Sequence, residues 1–319
     1  TVAIVLGVLL TVARAVVPPS PPDRGCALPR NAAWISVEWS AEPSRPESLR
    51  KLVTDAATHG LHYLYPYVTY LRSDGTFNPT YDYAEEFVVS YKALDPDTTL
   101  LAWIGLPLAN DRGLGVDGWI DLSDDNERSK IVRFVVDLVR DTGFDGVHID
   151  AETVHDDDQS FLLLLDEIRR ELDQDSMLSV ASGYWLPPVV NRNPLARGYK
   201  WSSEYYREVA SRVDQIATMT YDSRMPHPAL YRLWLYGQAR AIDKALRGTE
   251  TELLLDISPS QERSLTHIPY AENMRSGLAG ACSYVARANN HGISGIALYA
   301  HWEVGDADWS IWDEALNRY

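Results

Sequence analysis

Three ionisable side chains alternate along the end of one apolar run, His148, Asp150 and Glu152 in Phe144-Asp145-Gly146-Val147-His148-Ile149-Asp150-Ala151-Glu152. A β-strand sends every second side chain to the same side, so the three share one face at spacings of roughly 6–7 Å. Charged groups are rarely buried unless paired, and an apolar core strand has no structural use for three of them in succession. Placed in a cleft, such a set is equipped for proton transfer. The plain alternative is a strand that runs out into solvent at residue 150. Asp145 lies on the opposite parity from Glu152 and reads as structural, bonding nearby backbone.

The elements that must position this strand form a regular series. Short β-rich runs are expected at 34–39, 61–70, 99–105, 144–150, 177–183, 215–221, 252–258 and 295–299. Segments of helical period lie between them at 46–59, 81–94, 124–142, 159–173, 203–212, 230–247, 271–290 and 309–316. Pro46 suits a first helical turn, and Gly60, Gly143, Gly248 and Gly292 fall where helices should stop. Eight strand–helix repeats of the α/β class close naturally into a single (β/α)8 TIM barrel over residues 31–319. A doubly wound open sheet is the alternative, but the chain lacks its Gly-rich first turn.

In a barrel of this kind the active site lies at the C-terminal ends of the strands. Those ends carry Glu38 and Trp39, Tyr67 and Tyr70, Asp150 and Glu152, Tyr184 and Trp185, Tyr221 and Asp222, and Trp302 with Glu303. Carboxyls and large aromatics therefore ring one mouth. Glycoside hydrolysis needs that equipment: an acid for the leaving oxygen, a group that stabilises an oxocarbenium-like centre, and ring faces on which sugars stack.

Composition narrows the partners. A net charge of -16 repels nucleic acid and anionic membrane surfaces, so a neutral ligand is the more natural expectation. Tyr (18) and Trp (10) greatly outnumber Phe (5), which suits wet sites that contact sugars or peptides. Residues 2–12 are an apolar run too short for a comfortable membrane span, followed by the small-x-small site Ala13-Arg14-Ala15. Residues 1–15 thus read as a signal peptide or an uncleaved anchor, residues 16–30 as a Pro-rich linker, and the protein as secreted or surface-anchored. Cys26 and Cys282 are too few for a disulfide framework and lack metal-ligand spacing, though in an exported protein they could form one bond. No Gly-rich phosphate loop, Cys/His cluster or nucleophile elbow is present, so neither cofactor nor metal is expected. Asp156-Asp157-Asp158 reads as a solvated helix start.

The fourth strand resembles the signature of family 18 glycoside hydrolases, the chitinases and endo-β-N-acetylglucosaminidases. Their Asp-Gly-x-Asp-x-Asp-x-Glu motif is matched by Asp145, Gly146, Asp150 and Glu152, with His148 in place of the middle aspartate. A second family element, Met-x-Tyr-Asp after strand six, is present as Met219-Thr220-Tyr221-Asp222, and Trp302 would be the tryptophan after strand eight. The resemblance implies a substrate-assisted retaining mechanism on β-linked N-acetylglucosamine in chitin-like chains, peptidoglycan or N-glycan cores. In it Glu152 would be the general acid, Asp150 would orient the substrate's 2-acetamido group, and Tyr221 would hydrogen-bond it. Asp222 would hold the sugar ring or a neighbouring hydroxyl and Trp302 would floor the site. The protein is expected to act as a monomer.

Departures from the pattern are equally informative. The family's Ser-x-Gly-Gly on strand three is replaced by Ala102-Trp103-Ile104-Gly105-Leu106, so the shape beneath the site must differ. His148 is expected to pair with Asp150 and keep it ionised. The connection at 259–269 is too short for the inserted α+β subdomain of many chitinases, so the groove should be shallow. Long connections at 107–122 and 184–202, the latter with Trp185 and Trp201, should set subsite preference. Two other readings remain: a non-catalytic sugar-binding barrel, and a glycosidase that pairs Glu152 with Glu38, Asp222 or Glu303.

Overall fold

The computed structural model describes residues 25–109, 118–186, 200–288 and 290–316; the expected signal or anchor segment, and the linker as far as residue 24, lie outside them. Eight parallel strands close into a barrel in sequence order. They are β1 (Asn31–Ile35), β2 (Leu61–Tyr70), β3 (Thr99–Pro107), β4 (Gly146–Glu152), β5 (Met177–Ser182), β6 (Gln215–Met219), β7 (Glu252–Ile257) and β8 (Ile293–Leu298). The described helices are α1 (Glu38–Ala41), α2 (Pro46–His59), α3 (Ala84–Lys92), α4 (Asp125–Thr142), α5 (Gln159–Glu171), α6 (Ser203–Ala210), α7 (Pro228–Leu246), α8 (Met274–Val285) and α9 (Asp306–Leu316). The expected TIM barrel is therefore the observed one. β7 runs through a short connection into α8, with no inserted subdomain between them.

Local chemistry explains the boundaries. Pro46 opens α2, and Gly60 and Gly143 close α2 and α4 in the left-handed conformation that glycine adopts without steric cost. Asp158 caps α5 by accepting from the N–H groups of Ser160 and Phe161, which accounts for the end of the acidic triplet. One expectation fails at the start. β1 ends at Ile35, and Glu38 and Trp39 lie on the short helix α1 rather than on a strand. The chain coils there because Trp39 packs outward against Phe87 of α3, at 5.6 Å between ring centroids.

Two apolar layers result. The outer one packs strand faces against helices, with residues such as Leu52, Phe87, Ile131, Leu165 and Leu235. The inner one fills the barrel with Trp34, Tyr63, Tyr65, Leu101 and Trp103 from β1 to β3, faced by Ala181, Ala217 and Ala297 from β5, β6 and β8. Large rings on one side and methyl groups on the other complete the interior volume, as close packing requires.

Cys26 and Cys282 are disulfide-bonded across 256 residues of sequence, joining the N-terminal segment to α8. Closing so long a loop restricts the unfolded chain and stabilises the fold by roughly 2–5 kcal/mol. Reduction, or Cys282→Ser, should lower the thermal unfolding midpoint without changing the far-UV circular dichroism of the folded state; an unchanged midpoint would show that the bond contributes nothing.

Candidate active site

β4 is held at fixed height by its first residues. A Cβ on Gly146 would lie 2.0 Å from the Met177 carbonyl oxygen, so only glycine lets β4 and β5 approach this closely. The Asp145 carboxylate accepts from the Leu100 N–H at 2.7 Å and meets Lys92 Nζ at 2.7 Å, the structural part that its parity suggests. The resulting register pairs Trp103 with His148, Gly105 with Asp150 and Pro107 with Glu152. His148, Asp150 and Glu152 thereby climb from the barrel interior to its mouth, and they are buried, half-buried and exposed in that order.

His148 does not pair with Asp150. Its ring stacks on Tyr65 at 4.2 Å and meets the edge of Trp34 at 4.5 Å. Nδ1 contacts Ser179 Oγ at 2.7 Å, and Ser179 in turn donates to Gln215 Oε1 at 2.8 Å. A hydroxyl has one proton, so Ser179 accepts from a protonated Nδ1 and Nε2 carries the lone pair. Complete burial disfavours the cation and pushes the ring down to about 3, so His148 is neutral at physiological pH. The expected pairing fails because the side chain at position 148 lies a full strand repeat deeper than Asp150, among aromatics.

Trp103 takes up the space beneath Asp150. Its Nε1 donates to Asp150 Oδ2 at 3.0 Å, whereas Oδ1 is buried without a partner among the described residues. Burial first, and the Glu152 charge second, push the Asp150 carboxyl well above its ordinary value, against the pull of the Trp103 bond. Glu152 is raised by its desolvating surroundings and then by the charge of Asp222. Water reaches Glu152, but the concave mouth surrounds it with protein. Both shifts favour the protonated form of each carboxyl.

Aromatic rings wall the mouth. Tyr221 stacks on Tyr299 at 4.9 Å, and Tyr299 meets Trp302 edge-on at 6.2 Å. Burial raises Tyr221 well above the normal phenol range, so its hydroxyl remains a donor. Tyr67 packs edge-on against Trp103 at 4.5 Å and is pushed up to about 12 by burial and by Asp150. Met219 packs on the inner cluster, and Trp302 is 48% exposed, which leaves its face open to a ligand. Two further expected contributors follow the ends of β1 and β5. Glu38 is exposed on α1, and Trp185 packs on the outer layer with its Nε1 donating to Ser203 Oγ at 3.0 Å.

Sequence reasoning missed a charge cluster behind Asp222. Asp222 accepts at 3.2 Å from Thr266 Oγ1, and its Oδ1 lies 3.1 Å from His267 Nδ1. The opposite ring nitrogen faces the Ser260 carbonyl at 3.1 Å, and buried Glu272 approaches Nδ1 to 3.8 Å. With acceptors at both nitrogens, the ring holds two protons. Burial works against that charge, but the Asp222 bond, the Ser260 carbonyl and the two carboxylate charges outweigh it and raise His267 above its ordinary value. Asp222, His267 and Glu272 also place one ligand atom each within 4.8 Å of one another, the geometry of a cation site, and the imidazolium supplies that positive charge. Asp256 of β7 was also missed. It is fully buried, and burial followed by the Asp150 charge raises it well above its normal range, against the pull of the Trp34 indole N–H turned toward it.

A surface depression of about 610 Å³ lined by Asp243, Arg247, Thr251 and His291 lies at the N-terminal ends of β7 and β8, away from all these groups. Size alone does not mark the site. A (β/α)8 barrel whose β4 delivers two carboxyls with raised pKa values to an aromatic-walled mouth defines a glycosidase-type centre. The sequence model of glycosyl hydrolases family 18 matches residues 58–264, and the chain belongs to that family. It is a chitinase-like glycoside hydrolase.

Solved structures agree in fold. A chitinase from Chromobacterium violaceum superposes with a TM-score of 0.63 at 17% identity, covering 91% of this chain and 99% of that one. The spore cortex-lytic enzyme SleL of Bacillus cereus gives 0.62 at 14%, covering 93% and 76%. A GH18 chitinase variant from Cycas revoluta in complex with (GlcNAc)4 gives 0.59 at 14%, covering 91% and 99%. No curated protein matches the sequence.

Two measurements test these electrostatics. Asp222→Asn removes the like charge that raises Glu152, so the alkaline limb of the kcat/KM profile should move to lower pH; a limb that stays in place contradicts the coupling. His267 is raised in the folded state, so its stabilisation is fully present below about pH 6.5 and is lost as pH rises through the folded value. The thermal midpoint of the wild type should therefore fall across this window relative to His267→Gln, and parallel curves would rule out a folded-state imidazolium.

Proposed function

We propose that the protein hydrolyses β-linked N-acetylglucosamine-containing glycans by a substrate-assisted retaining mechanism, and that it acts outside the cytoplasm. The observation that carries the reading is the buried, unpartnered Oδ1 of Asp150 beside a raised Glu152. An acceptor left unsatisfied costs about 1–3 kcal/mol, and an acetamido N–H of the substrate would remove that cost on binding. The Cycas revoluta neighbour solved with (GlcNAc)4 and the chitinase of Chromobacterium violaceum support the sugar class.

Glu152 donates its proton to the glycosidic oxygen as the bond from the anomeric carbon to that oxygen breaks. The 2-acetamido oxygen attacks the anomeric carbon from the opposite face and forms a cyclic oxazolinium ion, whose N–H Asp150 accepts. Tyr221, which keeps its proton, donates to the acetamido group, while Tyr299 and Trp302 present ring faces to the sugar. Glu152, now a carboxylate, takes a proton from water as that water opens the ring, and the product retains the β configuration. The nucleophile already sits beside the anomeric carbon, so no second protein carboxylate need reach it.

The apolar run at 2–12 and the Cys26–Cys282 bond, of a kind that persists in oxidising compartments, support export. Glu152→Gln should lower kcat on N-acetylglucosamine oligomers by about 10²–10⁴-fold. Early product of the wild type, read by NMR, should be the β-anomer. α-Anomer product, or cleavage of analogues lacking the 2-acetamido group, would exclude the substrate-assisted route.

A further inference from the structure

Lys200 and Arg224 stand on the β5 and β6 connections, at the barrel end of the candidate active site, with no ion-pair partner among the described residues. Lys200 is positioned by the two residues that follow it. The next residue, Trp201, donates its backbone N–H to the Tyr184 carbonyl and its indole N–H to the carbonyl of Val154, two residues beyond Glu152. Ser202 N–H then bonds Asp156 on the same β4 connection. Lys200 Nζ thereby lies 3.9 Å over the Tyr184 ring, a cation–π contact that leaves ammonium protons free. Arg224 lies on the neighbouring β6 connection, at φ 61, with its N–H bonded to the Thr266 carbonyl and flanked by the Ser223 and Met225 N–H groups that Glu272 holds. The Thr266 hydroxyl donates to Asp222, so Arg224 is anchored beside that site residue.

Neither Lys200 nor Arg224 forms an ion pair among the described residues. Carboxylates are available in a chain with 45 acidic residues against 29 basic ones, but Asp222 and Glu272 are turned to His267. The two cations also oppose each other: burial and then the Arg224 charge lower Lys200 to about 8. Holding like charges together without a counter-ion costs free energy that a bound anion would recover. β5 and β6 follow β4 in the barrel, so the connections that carry Lys200 and Arg224 leave the same barrel end as Glu152.

We infer that the rim formed by Lys200, Arg224 and Tyr184 is a subsite for an anionic substituent, so that the substrate is a glycan in which a carboxylate-bearing sugar neighbours the N-acetylglucosamine that is cleaved. This rests on the glycosidase reading above and reverses the neutral-ligand expectation drawn from net charge, because the subsite responds to local charge. Tyr184 supplies a stacking face, and the two cations select the charged substituent over its neutral analogue.

The test compares kcat/KM on neutral N-acetylglucosamine oligomers, on peptide-free peptidoglycan strands with free lactyl carboxylates, and on oligomers that alternate N-acetylglucosamine with a uronic acid. Each charged substrate is paired with its carboxyl-reduced form. At least one charged substrate should be preferred over its reduced form by about tenfold or more, and which one identifies the source of the carboxylate. The double variant Lys200→Ala/Arg224→Ala should lose that preference while its rate on neutral oligomers stays within about twofold, which also shows that it folds. Equal rates on charged and reduced forms, or an equal loss on all substrates, would overturn the inference. If no glycan is cleaved, the glycosidase reading fails by itself. Calorimetric binding to Glu152→Gln then decides the subsite: tighter binding of the charged strand, abolished by the two substitutions, supports it, and equal binding overturns it.

Discussion

Closing eight parallel strands leaves an interior that must be filled with side chains, and Trp34 is the group around which this filling is organised. Its ring meets Tyr65, Trp103, His148 and Tyr299 edge-on at centroid distances of 4.5–5.5 Å. Edge-to-face contacts of this kind add to area burial and fix ring orientation. Trp103 and Tyr299 then carry that orientation to the mouth, the first by bonding Asp150 and the second by stacking on Tyr221. The chemistry at the surface is thus positioned by packing at the centre.

The same packing sets the electrostatics. An interior filled by aromatic rings excludes water, so each titratable group inside it either loses its charge or shares one. His148 loses its charge and joins a polar chain through Ser179 and Gln215 to Glu252, which also accepts from Tyr63. Asp150 and Asp256 are pushed toward their neutral forms. Where the barrel opens toward the mouth, Asp222 and His267 keep an ion pair. The mouth is therefore graded from neutral acids below to paired ions at the rim, and Glu152 lies between the two regimes.

The architecture was legible because its signals are local. Helix periodicity, Pro46, and the glycines at 60 and 143 each act over a few residues, and eight repetitions leave few ways to close. β1 was misplaced because Val37-Glu38-Trp39 looks like a strand end, and only its contact with α3 bends it into a helix. The placement of Asp150, Glu152, Tyr221 and Asp222 at the strand ends of the candidate site was legible in the same way, since strand parity and two short motifs mark it. Trp34 and Asp256 were not, because an aromatic or acidic residue inside a strand does not announce which face it takes or what lies opposite. His267 lies 45 residues from Asp222, in a stretch with no periodic signal, so no local pattern links them.

The chain by itself determined the class of fold, the strand that carries Asp150 and Glu152 and the family to which it belongs, because these follow from spacing along one backbone. Tertiary structure alone decided the state of each group. Whether His148 is charged depends on rings from β1 and β2, whether Asp150 is satisfied depends on a tryptophan from β3, and whether Asp222 has a partner depends on the β7 connection. Charge state is a property of the surrounding medium rather than of the residue, and in a closed barrel that medium is supplied by all eight strands at once.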